Sequence, residues 1–392
     1  MLAAVMLINR AGSMVLPFLG VYMVDHLHFG IKESGMVLSF YGIGSVLGSW
    51  LGGLITDRVG EYKVQSMSLF LSVPLFCVLP LFTSIEGLAT IILLQSIISE
   101  MFRPANSVAI TKYAKSQNLT RAFSLNRMAV NLGFSIGPAM GGILSSISYD
   151  FLFYCNALGA LLAGIVYVIF FRKRHTQTGF TRKERKAMKA DATLAPELSP
   201  YRDRPFLIFC FLCVIFSVCF FQFFSTLPIF YKDEVGLSQK AIGYILGYSG
   251  LVIVLLEMVL VKISEKWLTI GGTLMLGAVL CGMSYAMLAF NHSLFVLVFA
   301  MTLLCIGEIL TLPFLSTVTA LRSGVRNKGA YMGLNGMSFS MAFIITPFLG
   351  TRLANDHGFN SVWIGTGVLL VITAVALYIN VQKMLGKNTA HQ

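Results

Sequence analysis

The sequence predicts an all-α membrane protein whose twelve transmembrane helices form two pseudo-symmetric six-helix bundles, and three observations carry that reading. The first is composition. Of the 392 residues 56% are hydrophobic and 12% are charged, against roughly 25% charged in an ordinary soluble domain. The second is a recurring apolar stretch of the length, about 20 residues, that crosses a hydrocarbon core ~30 Å thick. The third is one basic, proline-containing segment, residues 172–204, that divides those stretches six and six. The alternating ten-residue pattern of a membrane β-barrel does not occur.

The first bundle is expected over residues 1–171, with spans near 2–25, 34–55, 64–83, 87–110, 122–145 and 150–171. No basic leader or small-residue cleavage site precedes the first span, so no cleavable signal peptide is expected. In the second span Gly44, Gly48 and Gly52, with Gly42 beside them, recur at four-residue spacing. They read as a face for close helix packing; a dinucleotide loop would need a strand before it and a helix after it. Residues 172–204 read as a polar linker. The second bundle follows over 205–392, with spans near 205–230, 238–262, 271–290, 293–317, 329–351 and 359–382. Its first span is crowded with phenylalanine, read as packing or as an apolar cavity wall.

The net charge of +12 raises nucleic acid as a partner, but its distribution points to a membrane. On this layout 23 of the 29 Lys and Arg lie on one side of the spans, ten of them in 172–204. Basic loops stay in the cytoplasm, which places both termini there and the chain in the cell's inner membrane. The expected partners are the lipid bilayer and a small-molecule substrate, with no nucleic acid, and the chain is expected to act as a monomer. The seven cysteines lie in apolar helices, and the Cys210/Cys213 pair reads as packing. His26 and His28 read as a solvated turn, so no metal site is expected. No GxxxxGK[ST] phosphate loop occurs, so no cofactor is expected and the energy source is expected to be a proton gradient.

The two halves align to each other at an offset near 208 residues. Leu16-Pro17, Tyr22 and Asp25 match Leu227-Pro228, Tyr231 and Asp233. Glu100 with Pro104 matches Glu308 with Pro313, and Pro138 to Gly141 matches Pro347 to Gly350. Landmarks shared at a fixed offset indicate a duplicated unit, and parallel repeats of this kind build alternating-access carriers.

Two motifs then make the likeness specific. GLITDRVGEYK, Gly53 to Lys63, resembles the GxxxDRxGRR loop of the major facilitator superfamily, with Gly53, Asp57, Arg58 and Gly60 in register. Glu61 and Tyr62 stand where the family has a basic pair, and the second-half counterpart, Ser264-Glu265-Lys266, has decayed. GFSIGPAMGG in the fifth span resembles the motif of the drug/proton antiporter branches, through Gly133, Gly137, Pro138, Gly141 and Gly142. The resemblance covers all twelve spans and implies the major facilitator fold, a transporter rather than an enzyme, and conformational roles for these nine residues. Those antiporters carry an arginine in the fourth span; here Gln95 stands near that position.

Charged residues inside spans carry the functional expectation, because a charge at the bilayer centre costs at least ~2.5–3.5 kcal/mol and turns toward the protein interior. Glu308, in LLCIGEILTLPF, lies roughly 22 Å along its helix from the outer end at 1.5 Å per residue, with no basic residue within ten positions. Burial penalises the charged form of a carboxylate, which suits proton exchange near neutral pH. Glu308, Glu257 and Glu100 are therefore assigned to proton coupling. Arg10 and Asn9 on the first span, Arg103, Arg127, Gln222 and Asn335 are assigned to the substrate. Glu100 and Arg103 also suit a structural ion pair, Arg127 a snorkelling side chain and Glu308 a partner for a distant arginine. The function expected is secondary active transport, as proton-coupled export of a small amphipathic compound (drug or metabolite). The alternative is proton-symport uptake of a peptide-like, amino-acid-like or organic-anion substrate. For that alternative, IGEILTLP is similar to the GExxxxP pattern of proton-coupled peptide transporters, and Asn9-Arg10 to the ERF of their ExxERF motif, whose two glutamates are absent here.

Overall fold

A computed structural model describes residues 1–13, 15–145, 147–178, 198–324 and 327–386, which are helical with short turns and contain no strand. Most of the expected linker, residues 179–197, lies outside the described residues. Among the described residues, fourteen α-helices account for the twelve expected spans. The first half comprises α1 (Leu2–Ala11), α2 (Val15–Val21), α3 (Ile31–Val59), α4 (Glu61–Val78), α5 (Ile85–Glu100), α6 (Phe102–Tyr113), α7 (Leu119–Ser145) and α8 (Tyr149–Thr178). The second comprises α9 (Arg204–Phe220), α10 (Thr226–Asp233), α11 (Gln239–Trp267), α12 (Ile270–Leu288), α13 (Leu294–Arg322) and α14 (Lys328–Leu385).

Local chemistry explains most boundaries. Ser84, Ser238 and Thr269 each precede a helix, and their hydroxyls accept a hydrogen bond from the amide three residues on, at 3.1–3.2 Å; such caps satisfy donors that the first turn leaves open. The fourth span breaks at Met101 into α5 and α6, three residues before Pro104, whose ring cannot continue a regular helical ladder. Its counterpart α13 runs unbroken through Pro313. The last two expected spans form one run, α14, turned at Gly358 with φ +78° and ψ 161°, a conformation only glycine adopts without penalty. The repeat is visible in the helices themselves: α3 and α11 are both 29 residues long and begin 208 residues apart.

By contact the chain divides into two compact units. Residues Met1–Tyr113, Ala129–Asp203 and Ser323–Met337 form one, and Ala114–Met128, Arg204–Arg322 and Ser338–Gln392 form the other. Each unit thus takes in the opening turns of one helix from the opposite half: α14 in the first, α7 in the second.

Close helix contacts in both units fall at glycines. In the first, a Cβ added at Gly44 would stand 2.7 Å from the Leu93 carbonyl, and one at Gly52 2.6 Å from the Met101 Cα, so the glycine face of α3 lies on the backbone of α5. In the second, Gly307 of α13 faces Gly277 and Cys281 of α12, and Gly282 of α12 faces Gly367 of α14. Phe206, Phe209, Phe216, Phe220 and Phe221 are buried in the second unit; Phe216 and Phe220 stack at 6.1 Å, while Phe211 and Phe224 stay exposed. The aromatic run of α9 is thus chiefly core packing.

Candidate functional site

Each unit holds a buried cluster in which arginine meets glutamate. In the second unit it is built on Arg127, from the opening half of α7. Its Nε donates to Glu257 Oε1 at 3.0 Å, and its Nη2 lies 2.8 Å from Glu257 Oε2. Its Nη1 reaches Glu308 Oε1 at 2.5 Å. The guanidinium therefore grips Glu257 of α11 with two nitrogens and Glu308 of α13 with the third. The side chains of Arg127 and Glu308 are 12% exposed and that of Glu257 is 0% exposed. Glu308 has no cation nearby in sequence, but it has one in space: its partner, Arg127, is 181 positions away along the chain, as the reading of a distant arginine expected. Arg127 accordingly does not snorkel to the surface. Among the contacts described, one cation faces two carboxylates, which together carry one negative charge more than it balances.

The first unit reverses this balance. Glu100, at the end of α5, lies 2.8 Å from the Arg103 Nε and 3.9 Å from the Arg10 Nη2. Arg10 is buried, its guanidinium carbon 5.5 Å from the centre of the Phe134 ring. Gly133 makes this possible, because a Cβ there would stand 2.5 Å from the Arg10 Cβ; Gly137 faces the Ala11 and Ser13 carbonyls in the same groove. The glycines of the fifth-span motif thus seat α7 on the root of Arg10. Gly141 is buried on the same helix, and Pro138 and Gly142 lie outside the residues whose side chains are described. Asn9 is half-buried, with its carbonyl accepting from Ser13 Oγ at 3.2 Å. Asn335 is buried in this unit, whereas Gln222 is buried in the other, its Nε2 donating to Thr366 Oγ1 at 2.7 Å. The substrate candidates are thereby divided: Arg10, Asn9, Arg103 and Asn335 in the first unit, Arg127 and Gln222 in the second.

The GxxxDRxG-like loop forms a brace. Asp57 accepts from the backbone amides of Gly329 at 2.6 Å and Ala330 at 2.7 Å, the opening turn of α14. A carboxylate there satisfies free amides and complements the positive end of the helix dipole. Gly53 allows the approach, since its Cα side lies directly on the Gly329 carbonyl and Gly333. Gly60, at φ +95°, turns the chain from α3 into α4, and Arg58 is exposed. Glu61, one of the departures from the family pattern, is buried and pairs with Lys112 at 2.6 Å.

Sequence reasoning missed the matching brace in the second unit. Glu265 lies 208 residues after Asp57, and Arg121 lies 208 before Gly329; the Arg121 Nε donates to Glu265 Oε2 at 2.7 Å. The second-half loop has lost its motif but keeps the acid, which now holds the opening of α7 through a side chain rather than through amides. Beside the first brace, the Tyr331 hydroxyl donates to Asp203 Oδ2 at 2.9 Å and Trp50 Nε1 donates to the Tyr201 hydroxyl at 2.8 Å. Asp203, fully buried, sits in a polar stretch that offers no sign of burial.

Replacing Asp57 with alanine is expected to destabilise the protein by about 1–2 kcal/mol, the range for losing a helix cap. Asparagine there, which keeps an acceptor but not the charge, should cost about half as much. Arg58→Ala, an exposed neighbour, should stay within about 0.5 kcal/mol of the parent. Thermal unfolding of the three purified variants measures these differences, and equal losses at Asp57 and Arg58 would refute the brace.

The comparisons with known proteins bear on this arrangement directly. The sequence model of the Major Facilitator Superfamily matches residues 1–272 and again 271–391. The chain belongs to the major facilitator superfamily. This major facilitator is a multi-pass membrane transporter and not an enzyme, as the resemblance implied. It is 25% identical over 370 residues to the MFS-type transporter YttB of Bacillus subtilis (strain 168), covering 94% of this chain and 91% of that one. It is 22% identical to a Na(+), Li(+), K(+)/H(+) antiporter of Planococcus maritimus, covering 93% and 91% of the two chains. With the quinolone resistance protein NorA of Staphylococcus aureus (strain MSSA476) it shares 21% identity over 93% and 92%. Among solved structures it superposes on the human organic anion transporter MFSD10 with a TM-score of 0.74 at 16% identity, covering 96% and 97%. That likeness establishes the fold: twelve spans in two six-helix halves.

Proposed function

We propose that this major facilitator is a proton-coupled exporter of a small amphipathic compound. In this reading it works by alternating access in the inner membrane, as a monomer with both termini in the cytoplasm. The observation that carries the reading is the Arg127–Glu257–Glu308 centre, in which one guanidinium is shared by two buried carboxylates. Two carboxylates facing one cation leave one negative charge uncompensated, and like charges in close proximity favour uptake of a single proton. The protonated centre is neutral. A neutral centre moves through a low-dielectric interior at far less cost than a charged one, so proton binding and release bias the conformational equilibrium. Coupling follows when substrate and proton prefer different states. The proton site is assigned to Glu308 and Glu257, with Arg127 as the residue that holds both, and Glu100 is their counterpart in the first half. The Asp57 brace acts on the same cycle, because the amides it holds are on the lysine- and arginine-rich side and must part for the carrier to open inward. The names of the antiporter and the quinolone resistance protein support this assignment.

Membrane vesicles of opposite orientation test it. Inside-out vesicles with an acid interior should accumulate an amphipathic aromatic probe, tried as its anionic, neutral and cationic forms, and lose it when the gradient is collapsed. Accumulation only in right-side-out vesicles with an acid exterior would replace export by symport uptake.

A further inference from the structure

The repeat makes the two charged centres comparable position by position. At the offset of 208, Glu308 matches Glu100, Glu257 matches Ser49 and Arg127 matches Asn335. The second unit thus holds one arginine with two glutamates. The first keeps one glutamate, carries serine and asparagine at the other two positions, and adds Arg10 and Arg103 from elsewhere. Ser49 stands beside this centre: a Cβ added at its neighbour Gly48 would stand 3.1 Å from the Glu100 Cβ, and one added at Gly336 of α14 would stand 3.5 Å from the Ser49 Oγ. Where one unit has a surplus carboxylate, the other lacks one.

The hydrogen bonds agree with the charge count. An arginine stays protonated at any physiological pH and presents five donors in a planar fork. Arg103 is in direct contact with Glu100, whereas Arg10 meets it only at 3.9 Å, beyond hydrogen-bond range. The Arg10 Nε–H has no acceptor although Arg10 is only 8% exposed. A buried guanidinium with an unsatisfied donor edge matches the two oxygens of a carboxylate, sulfonate or phosphate monoester. The flanking Phe134 ring, 5.5 Å from the guanidinium, is partly exposed, as is Arg103, at 28%. An anionic head on Arg10 would therefore have an aromatic face beside it.

We infer that Arg10, assisted by Arg103, is the recognition point for an anionic group, and that the transported compound is an amphipathic organic acid. This inference rests on the export reading and narrows its substrate class. The acid completes in the first unit the balance that Glu257 completes in the second, and a cationic compound would meet a centre already in surplus of positive charge.

The test uses the purified full chain in neutral detergent with three probes of one shape: 1-naphthoate, 1-naphthamide and protonated 1-naphthylmethylamine. Naphthoate is expected to bind about tenfold or more tightly than naphthamide, the scale of a charge-assisted pair of hydrogen bonds. Arg10→Gln should erase that preference, bringing naphthoate down to the affinity of naphthamide in the same variant; Arg10→Lys, which keeps the charge but not the fork, should retain part of it. Unfolding curves of both variants separate loss of the site from loss of the fold. A wild type that prefers the ammonium probe, or shows no preference, overturns the inference, as does an unchanged preference in Arg10→Gln. Inorganic phosphate and phosphatidylglycerol are run as competitors. If either displaces naphthoate at equal concentration, the point serves small anions or lipid heads and the organic-acid assignment falls. The vesicle assay keeps the two readings apart: accumulation of the ammonium probe, indifferent to Arg10→Gln, overturns the anion site and leaves export standing. Accumulation of none of the three overturns export, even where naphthoate still binds at Arg10.

Discussion

Glu308→Gln is expected to abolish accumulation driven by a pH gradient while substrate counterflow, which needs no proton, continues. In the parent protein Arg127 faces two carboxylates, Glu257 through two nitrogens and Glu308 through one. Glutamine at 308 keeps the side-chain length and a carbonyl acceptor for the Arg127 Nη1 but carries no charge and takes up no proton. What remains is a neutral Arg127–Glu257 pair, fixed in the state that protonation would create. The gradient then has nothing to act on, so gradient-driven accumulation should fall by about tenfold or more, the factor that corresponds to ~1.4 kcal/mol of lost coupling. Glu257→Gln is the informative companion. Glu257 is the more deeply buried of the two and takes the bidentate contact, so its replacement should weaken folding as well as coupling, whereas Glu308→Gln should spare the fold. Paired measurements in vesicles, with and without the gradient, decide the matter. Undiminished pH dependence in Glu308→Gln would remove the proton role from this residue.

The fold was legible in the sequence wherever the argument depended on length, polarity or repetition. The fifth span shows this: α7 carries Arg121, Asn126, Arg127 and Asn131 in its first half, yet six matching elements per half require it. The boundary of the last two spans was visible as the gap between 351 and 359, which Gly358 occupies. Glu308 was legible as a functional candidate because its match to Glu100 shows an acid belonging to the repeat. Its partner was not. Alignment of the halves relates Arg127 to Asn335, not to Glu308, and nothing local says that the opening of α7 packs with second-half helices. Charge partners separated by 181 residues are a property of the packed bundle. The two braces divide the same way. Asp57 was marked by its motif, while Glu265 was discounted because its neighbours had changed. Physically the neighbours matter little, since what the position must supply is one negative oxygen at the start of the facing helix. Glu61 was likewise read as the loss of a basic residue, although Lys112 had supplied a partner for it.

Arg127→Met is expected to be the most destabilising single substitution among the charged residues of the second unit. It leaves Glu257, fully buried, and Glu308, nearly so, with no cation among their three-way contacts. Removing one partner from a buried ion pair costs about 3–5 kcal/mol, because the remaining charge is left in a medium that cannot solvate it. Methionine matches the length of the arginine stem, so packing contributes little to the loss. The double variant Arg127→Met/Glu257→Gln should recover much of the stability, and the triple variant that adds Glu308→Gln should recover more, because each step removes an uncompensated charge. Residues that share one network are not additive, and the sign of the deviation is the test: Glu257→Gln should destabilise the parent and Glu308→Gln leave it nearly unchanged, yet both should stabilise the Arg127→Met background. Unfolding of the purified proteins measures all the terms. If each glutamine has the same effect in both backgrounds, the three residues do not act as one centre, and the proton site must be sought elsewhere. If the reversal is found, the surplus carboxylate that the proton neutralises is established by stability alone, independently of any substrate.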